Sequence, residues 1–364
     1  MRPQAAGWQK RAGRGILRDP RHLEPMHSGR RLVAILLVSA CGQAGSAPAP
    51  AGPTAVEQVS GTSELLIAVS PVNERVVWVS GTHGTYLRTT DGGATWHAGQ
   101  VPGAERLQFR DVHALDETTA WLLSIGNADT SRIYHTTDAG KTWTLQFSNP
   151  EPKAFYDCLD FWDARRGLAI SDAVGGEIVL LSTSDGGAHW ARVPPAGLPR
   201  AAPGEGAFAA SGTCLITRPG GHAWIALGTP KARLLHTADY GRSWTADSIP
   251  LAAISSVSFR DTQHGIVLGT DSSAATAATL DGGRRWIRGG RPPFAMGFYG
   301  GVFVPGARFP TVVAAGPGGA AWSRNDGGSW TVLNRNNYWG IGFASARAGW
   351  IVGRGGRITR LSGF

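Results

Sequence analysis

The sequence predicts an all-β chain, a seven-bladed β-propeller of four-stranded antiparallel blades whose last blade is closed by an N-terminal strand. Composition is the first reason: 51 glycines, 14 tryptophans and a charged fraction of only 17% suit short strands and tight turns better than long solvated helices. An eight-residue box is the second. It reads TTDGGATW at 89–96, TTDAGKTW at 136–143, TSDGGAHW at 183–190, TADYGRSW at 237–244 and TLDGGRRW at 279–286, with a contracted RNDGGSW at 324–330. Its aspartates, Asp91, Asp138, Asp185, Asp239, Asp281 and Asp326, are spaced by 47, 47, 54, 42 and 45 residues, the period of one propeller blade. Seven apolar runs in phase with the boxes are the third: VVWVSG (76–81), TAWLLSIG (119–126), RGLAIS (166–171), HAWIALG (222–228), HGIVLG (264–269), TVVAAG (311–316) and AGWIVG (348–353). Each reads as a buried strand.

The box explains itself as scaffolding. An aspartate in a turn accepts hydrogen bonds from backbone N–H groups a residue or two ahead, the glycine supplies positive φ, and the tryptophan covers the hairpin and the core between blades. A catalytic acid has no need of six copies, so the six aspartates are assigned structural roles. Seven strand signals against six boxes leave a seventh blade without its own box, and from Tyr338 onward only about three strands fit. The segment AVEQVS near residue 55 is the expected donor of the fourth, which removes the free sheet edge. Blades are expected to start near Ser63, Leu107, Phe155, Ser211, Ile254, Tyr299 and Tyr338.

The formal charge of +9 invites a nucleic-acid partner, but residues 1–31 carry +6 of it, so the body is only mildly basic and nucleic-acid binding is set aside. LVAILLVSAC (32–41), preceded by Arg30 and Arg31, is too short to span a bilayer and fits the h-region of a signal peptide. Its end, Val38 to Cys41, resembles the lipobox of bacterial lipoproteins, which makes Cys41 the expected lipidation site; an ordinary signal peptide with a chance cysteine is the alternative. Met26, which opens a compact n-region, is then the expected alternative start. Residues 42–55 are small and proline-rich and read as a flexible linker, leaving 56–364 for the propeller. Gly42 after the cysteine implies, by the same resemblance, an outer-membrane location in the cell envelope.

Loops entering the innermost strands, and those joining second to third strands, surround one mouth of the central channel; the boxes lie at the other end. Read in register, the mouth receives Phe109, Arg110 and Asp111, then Phe155, Tyr156 and Asp157, then Ser211, Tyr299, Tyr338 and Trp339, while second-to-third loops bring His83, Asp172, Asp271 and Arg354. The longest interval holds an enlarged loop, PPAGLPRAAPGEGAFAASG, with Arg200 and Glu205, and an enlarged loop on a rigid scaffold is a place to look for function. Cys158 and Cys214 fall at equivalent positions on neighbouring strands, close enough for a disulfide, with two buried thiols as the alternative. No histidine or second cysteine pair stands at ligand spacing, so no metal is expected. No glycine-rich phosphate loop or other cofactor fingerprint is present, and no cofactor is expected.

Repeats of the form T-x-D-x-G-x-T-W resemble Asp-box (BNR) repeats, which sialidases, some other glycoside hydrolases and sortilin-type receptors share. Combined with G-W-φ-V-G strands at this period, residues 56–364 resemble the photosystem II stability/assembly factor-like family of seven-bladed propellers. That resemblance implies an assembly or scaffolding role on a protein or peptide partner in the envelope, without catalysis, by a monomer that touches the membrane only through its lipid anchor. The contact residues expected at the mouth are Arg110, Tyr156, Arg291, Arg335, Tyr338 and Trp339, because arginine and aromatic side chains dominate interface hot spots. The sialidase resemblance implies a rival reading, a glycan-active hydrolase using Asp157, Asp172 and Glu205. The arginine motif that sialidases carry near the first blade is absent.

Overall fold

The structure is a computed structural model that describes residues 52–270, 276–291 and 293–364. The signal-peptide reading, Met26, Cys41 and Asp271 lie outside those residues. Seven four-stranded sheets are present, six of them running in simple chain order from inner to outer strand. Their first strands are Leu66–Pro71, Phe109–Ala114, Tyr156–Phe161, Leu215–Arg218, Ser256–Phe259, Gly300–Phe303 and Tyr338–Ser345, each within four residues of its expected start. In the seventh sheet the outer strand is Thr54–Gln58, which pairs antiparallel with Ile358–Ser362 and so links the two ends of the described chain. That strand begins at Thr54.

The seven apolar runs form the second strand of each blade, one place outward from the channel wall. Their tryptophans Trp78, Trp121, Trp224 and Trp350 share one register position and are fully buried. From there they reach the neighbouring blade: Trp121 stacks on Phe161 with ring centroids 4.1 Å apart, and Trp224 on Phe259 at 4.0 Å. The same phenylalanines explain the glycines that open several of these runs. Gly167 and Gly265 pair directly across from Phe161 and Phe259, whose rings lie over the glycine Cα. A Cβ on Gly167 would sit 2.5 Å from the Phe161 ring. Glycine is therefore required by close approach, and the ring in turn covers the exposed backbone.

Polar staples join first strands of adjacent blades. Ser70, Asp160 and Ser258, at one register position, accept N–H bonds from Ala114, Thr217 and Phe303 of the next blade at 2.7–3.0 Å. Between blades three and four the structure also joins Cys158 to Cys214 in a disulfide, with Cα atoms 6.0 Å apart. Of the two alternatives for these cysteines, the bridge is the one present.

The boxes sit in the third-to-fourth strand turns, with a division of labour different from the expected one. The threonine, not the aspartate, takes the near backbone donor: Gly93 N–H bonds Thr89 Oγ at 2.9 Å, and Gly140 N–H bonds Thr136 Oγ at 3.0 Å. The aspartate reaches four residues ahead, Asp91 Oδ1 accepting from Thr95 N–H at 2.9 Å and Asp138 Oδ1 from Thr142 N–H at 2.9 Å. Bonds from the Thr142 hydroxyl and then its N–H pull the Asp138 carboxyl down to about 2, and the backbone and ring of His189 do the same for Asp185. The last box is corrected by one residue. It is a full-length SRNDGGSW in which Ser323 and Asn325 hold the threonine and aspartate places: Ser323 Oγ donates to Asn325 Oδ1 at 2.8 Å, and Asn325 Oδ1 accepts from Ser329 N–H at 3.0 Å. Asp326 occupies the next position, which takes positive φ in every box and is Gly92, Gly186 and Gly282 in three of them. Its carboxylate meets Arg260 at 3.2 Å instead.

Because the Phe161 ring leaves no room, Gly167→Ala is expected to destabilise the fold by roughly 1–3 kcal/mol, the usual cost of overpacking. Urea unfolding followed by tryptophan fluorescence measures it, and an unchanged midpoint would contradict this packing account.

Candidate functional site

In the first strand of a blade, alternate side chains point into the channel and into the core between blades. The row just inside the mouth contains Arg110, Asp157, Tyr299 and Trp339 from blades two, three, six and seven, with Ile67, Thr213 and Ser255 completing it. In blades one, two, three and seven the ladder slips at this place, so Ile67, Arg110, Asp157 and Trp339 are each the extra residue of a β-bulge. A bulge re-aims the side chain it carries, and such irregularities cluster beside functional sites.

The row one residue earlier faces the core. Leu66, Phe109, Tyr156, Ile254, Phe298 and Tyr338 are all buried, Tyr156 being 3% exposed and Tyr338 0%. The two tyrosines are therefore withdrawn as contact residues. Tyr156 packs against Phe147 between blades, and burial pushes its hydroxyl up to about 12. Tyr338 is tied to Thr359 at 3.0 Å. Arg291 and Arg335 are exposed on loops entering blades six and seven, and Arg335 lies over Phe294 at 5.6 Å.

A pocket of about 300 Å³ opens at the mouth between Arg110, Asp157, Asp172, Phe208, Tyr299 and Trp339. Its aromatic side is Trp339, with Tyr299 edge-on at 5.0 Å and the Arg110 guanidinium 4.8 Å from the Trp339 ring centroid. Arg110 donates to Ala209 O and Gln108 Oε1, both at 3.0 Å. Phe208 and Ala209 belong to the enlarged loop, which thus does reach the mouth. It does so through those residues rather than through Arg200 or Glu205. The Glu205 side chain is fully buried and holds Arg233 with both oxygens at 2.8 Å, while also accepting Ala202 N–H, so it anchors the loop and leaves the hydrolase trio.

Asp157 and Asp172 do share the pocket. Burial raises the Asp172 carboxyl to about 6, moderated by a bond from Ala207 N–H. Asp157 is 2% exposed, and burial, with the nearby Asp172 charge, pushes it well above the ordinary carboxylate range. Among the described residues its Oδ2 has no hydrogen-bond partner, and neither have Arg110 Nε and Trp339 Nε1. Unsatisfied buried polar atoms are rare, and three on one small pocket mark an unfinished site.

A larger cavity, about 790 Å³, opens at the box end of the channel. Most of its charged groups are already engaged, His113 with Asp160 at 2.6 Å, Arg218 with Phe259 O at 2.7 Å and Arg260 with Asp326, while Arg308 stands exposed at its edge over Phe309. Asp111, deeper in the channel, uses both carboxylate oxygens on the N–H groups of Val112 and Leu159 at 2.8 Å. The smaller pocket is the better candidate because buried atoms of three of its side chains, Asp157 Oδ2, Arg110 Nε and Trp339 Nε1, are left without a partner among the described residues. Among the described residues no cluster of three or more His, Cys, Asp or Glu side chains is placed to hold a metal ion.

No known family profile and no curated protein matches the chain. Solved structures do. YCF48 from Cyanidioschyzon merolae superposes with a TM-score of 0.63 at 18% identity, over 85% of this chain and 98% of that one. The structure described as YCF48 bound to D1 peptide gives 0.60 at 17% identity, over 85% and 96%. A GH74 xyloglucanase from Xanthomonas campestris gives 0.58 at 15% identity, over 84% of this chain and 53% of that one. At such identities the likeness is one of fold, and the photosystem II assembly factor-like propellers that the repeats resemble have their counterpart among these structures.

A carboxyl whose folded-state pKa is raised keeps its proton longer in the native chain than in the unfolded one. Stability is then greatest below the unfolded carboxylate range, near about pH 4, and falls as pH rises toward the value of about 6 for Asp172. Asp172→Asn is therefore expected to stabilise the protein at neutral pH by on the order of 1 kcal/mol after solvent screening, with the gain vanishing near about pH 4. Thermal melts across that range test the sign; a loss at neutral pH would contradict it.

Proposed function

We propose that this chain is an envelope-located scaffold or assembly factor that captures an extended segment of a protein partner at the channel mouth, without catalysing a reaction on it. The observation that carries this reading is the mouth pocket itself, where a cation-faced tryptophan, a tyrosine and three unsatisfied polar atoms converge at the rim of a rigid ring. Aromatic and arginine side chains in a partly desolvated pocket are the composition of interface hot spots. YCF48, a chain of similar fold, has been seen with a D1 peptide bound, which supports a peptide as the class of partner. A signal peptide, lipidation at Cys41 and a tether ending before Thr54 would hold the monomeric propeller at the outer membrane, with the mouth free to engage its target.

Contact residues under this proposal are Arg110, Tyr299, Trp339 and Phe208, with Arg291 and Arg335 on the surrounding loops. The Arg110→Ala, Trp339→Ala double variant is expected to cut partner recovery from solubilised envelopes at least tenfold while its unfolding midpoint shows that it remains folded. Equal recovery by the wild type and the variant, in crosslinking followed by mass spectrometry, would overturn the assignment of the mouth.

A further inference from the structure

Among the described residues neither acid of the mouth pocket has an ion-pair partner, and Arg110 is turned toward Ala209 O and Gln108 Oε1. Asp157 carries the stronger demand, since its buried Oδ2 accepts nothing and its place on a β-bulge aims it into the pocket. Replacing it with an apolar residue would remove that penalty, so its presence asks for a ligand that supplies donors. Two carboxylates without a third acidic or imidazole ligand among the described residues make a poor metal site, and the aromatic part of the wall is Phe155, Phe208, Tyr299 and Trp339, beside Ile125 and a run of alanines. Carboxylates at the base and aromatic faces around the opening are the recognition chemistry of an organic cation.

We propose that this pocket is a lysine-recognition subsite: a lysine of the bound segment enters past Trp339 and Tyr299 and presents its ammonium to Asp157 and Asp172. A lysine fits better than an arginine. Its methylene stem suits the aromatic walls, its three rotatable N–H donors can be shared between two carboxylates, and the face of Trp339 that a planar guanidinium would use is held by Arg110. An ammonium there favours the ionised form of both acids and satisfies Asp157 Oδ2 directly. The inference rests on the mouth being the partner site, and it names one side chain of that partner.

The probe is Nα-acetyl-lysine methylamide, with its Nε-acetylated form as control, titrated calorimetrically into the whole folded chain. The wild type should bind the lysine probe saturably at millimolar concentration and ignore the acetylated one, and Asp157→Asn and Asp172→Asn should each weaken binding at least tenfold. Both variants replace a carboxyl whose ionisation burial disfavours with a neutral amide of the same shape, so their melting temperatures should not fall, which separates lost recognition from lost fold. No saturable binding by the wild type, or equal binding by the variants, overturns the subsite. If the probe binds as expected while envelope crosslinking shows no mouth-dependent partner, the lysine subsite stands and the partner reading fails; if crosslinking succeeds and the probe does not bind, the reverse holds.

Discussion

The two-residue period of the seven first strands governs what this protein shows to its surroundings. Each strand is packed on the core with one set of side chains and lines the channel with the other, so a shift of a single position exchanges the two. Ring closure makes that constraint collective. With Thr54–Gln58 paired to Ile358–Ser362, and with serine, aspartate and disulfide staples between inner strands, the seven channel-facing rows stay at a common height. Residues far apart in sequence, such as Arg110, Asp157 and Trp339, meet at the mouth because they occupy the same place in different blades.

The same amino acid behaves in opposite ways at the two ends of the ring. Box aspartates such as Asp138 and Asp185 sit near solvent with hydroxyl, ring or backbone donors aimed at them and are held at about 2, ionised and structural. The mouth aspartates, Asp157 buried and Asp172 half-buried, meet few donors or none, and their carboxyls rise. Environment rather than residue type separates scaffold from site. A fold that keeps a desolvated, unpaired acid accepts a stability cost, and such costs are typical of positions selected for binding.

Much of the architecture was legible in the sequence, because a turn that needs a hydroxyl, an acid, a glycine and a tryptophan at fixed spacing repeats visibly, and because glycines lying under phenylalanine rings punctuate three of the second strands. The closing strand was legible by counting strands. The site was legible only in part. Residue type and spacing place Arg110 and Trp339 at the mouth, but they do not separate them from Tyr156 and Tyr338, each of which precedes its channel-facing neighbour by one residue and points into the core. Aligning all seven strands on pleat parity would have exposed that slip, since the tyrosine row is otherwise Leu66, Phe109, Ile254 and Phe298. A similar one-residue slip put Asp326 where Asn325 does the work. Phe208, Ala209 and the Glu205–Arg233 pair carried no periodic signal, because an irregular loop sets them by tertiary contact.

The central claim is that the mouth, and not the box end, meets the partner. Site-specific photocrosslinking in intact envelopes addresses it directly, with p-benzoylphenylalanine placed either at Phe208, on the mouth pocket, or at Phe309, an exposed aromatic beside the opposite cavity. The account predicts a discrete covalent adduct from position 208 and none from position 309. An adduct from 309 with 208 silent would contradict it.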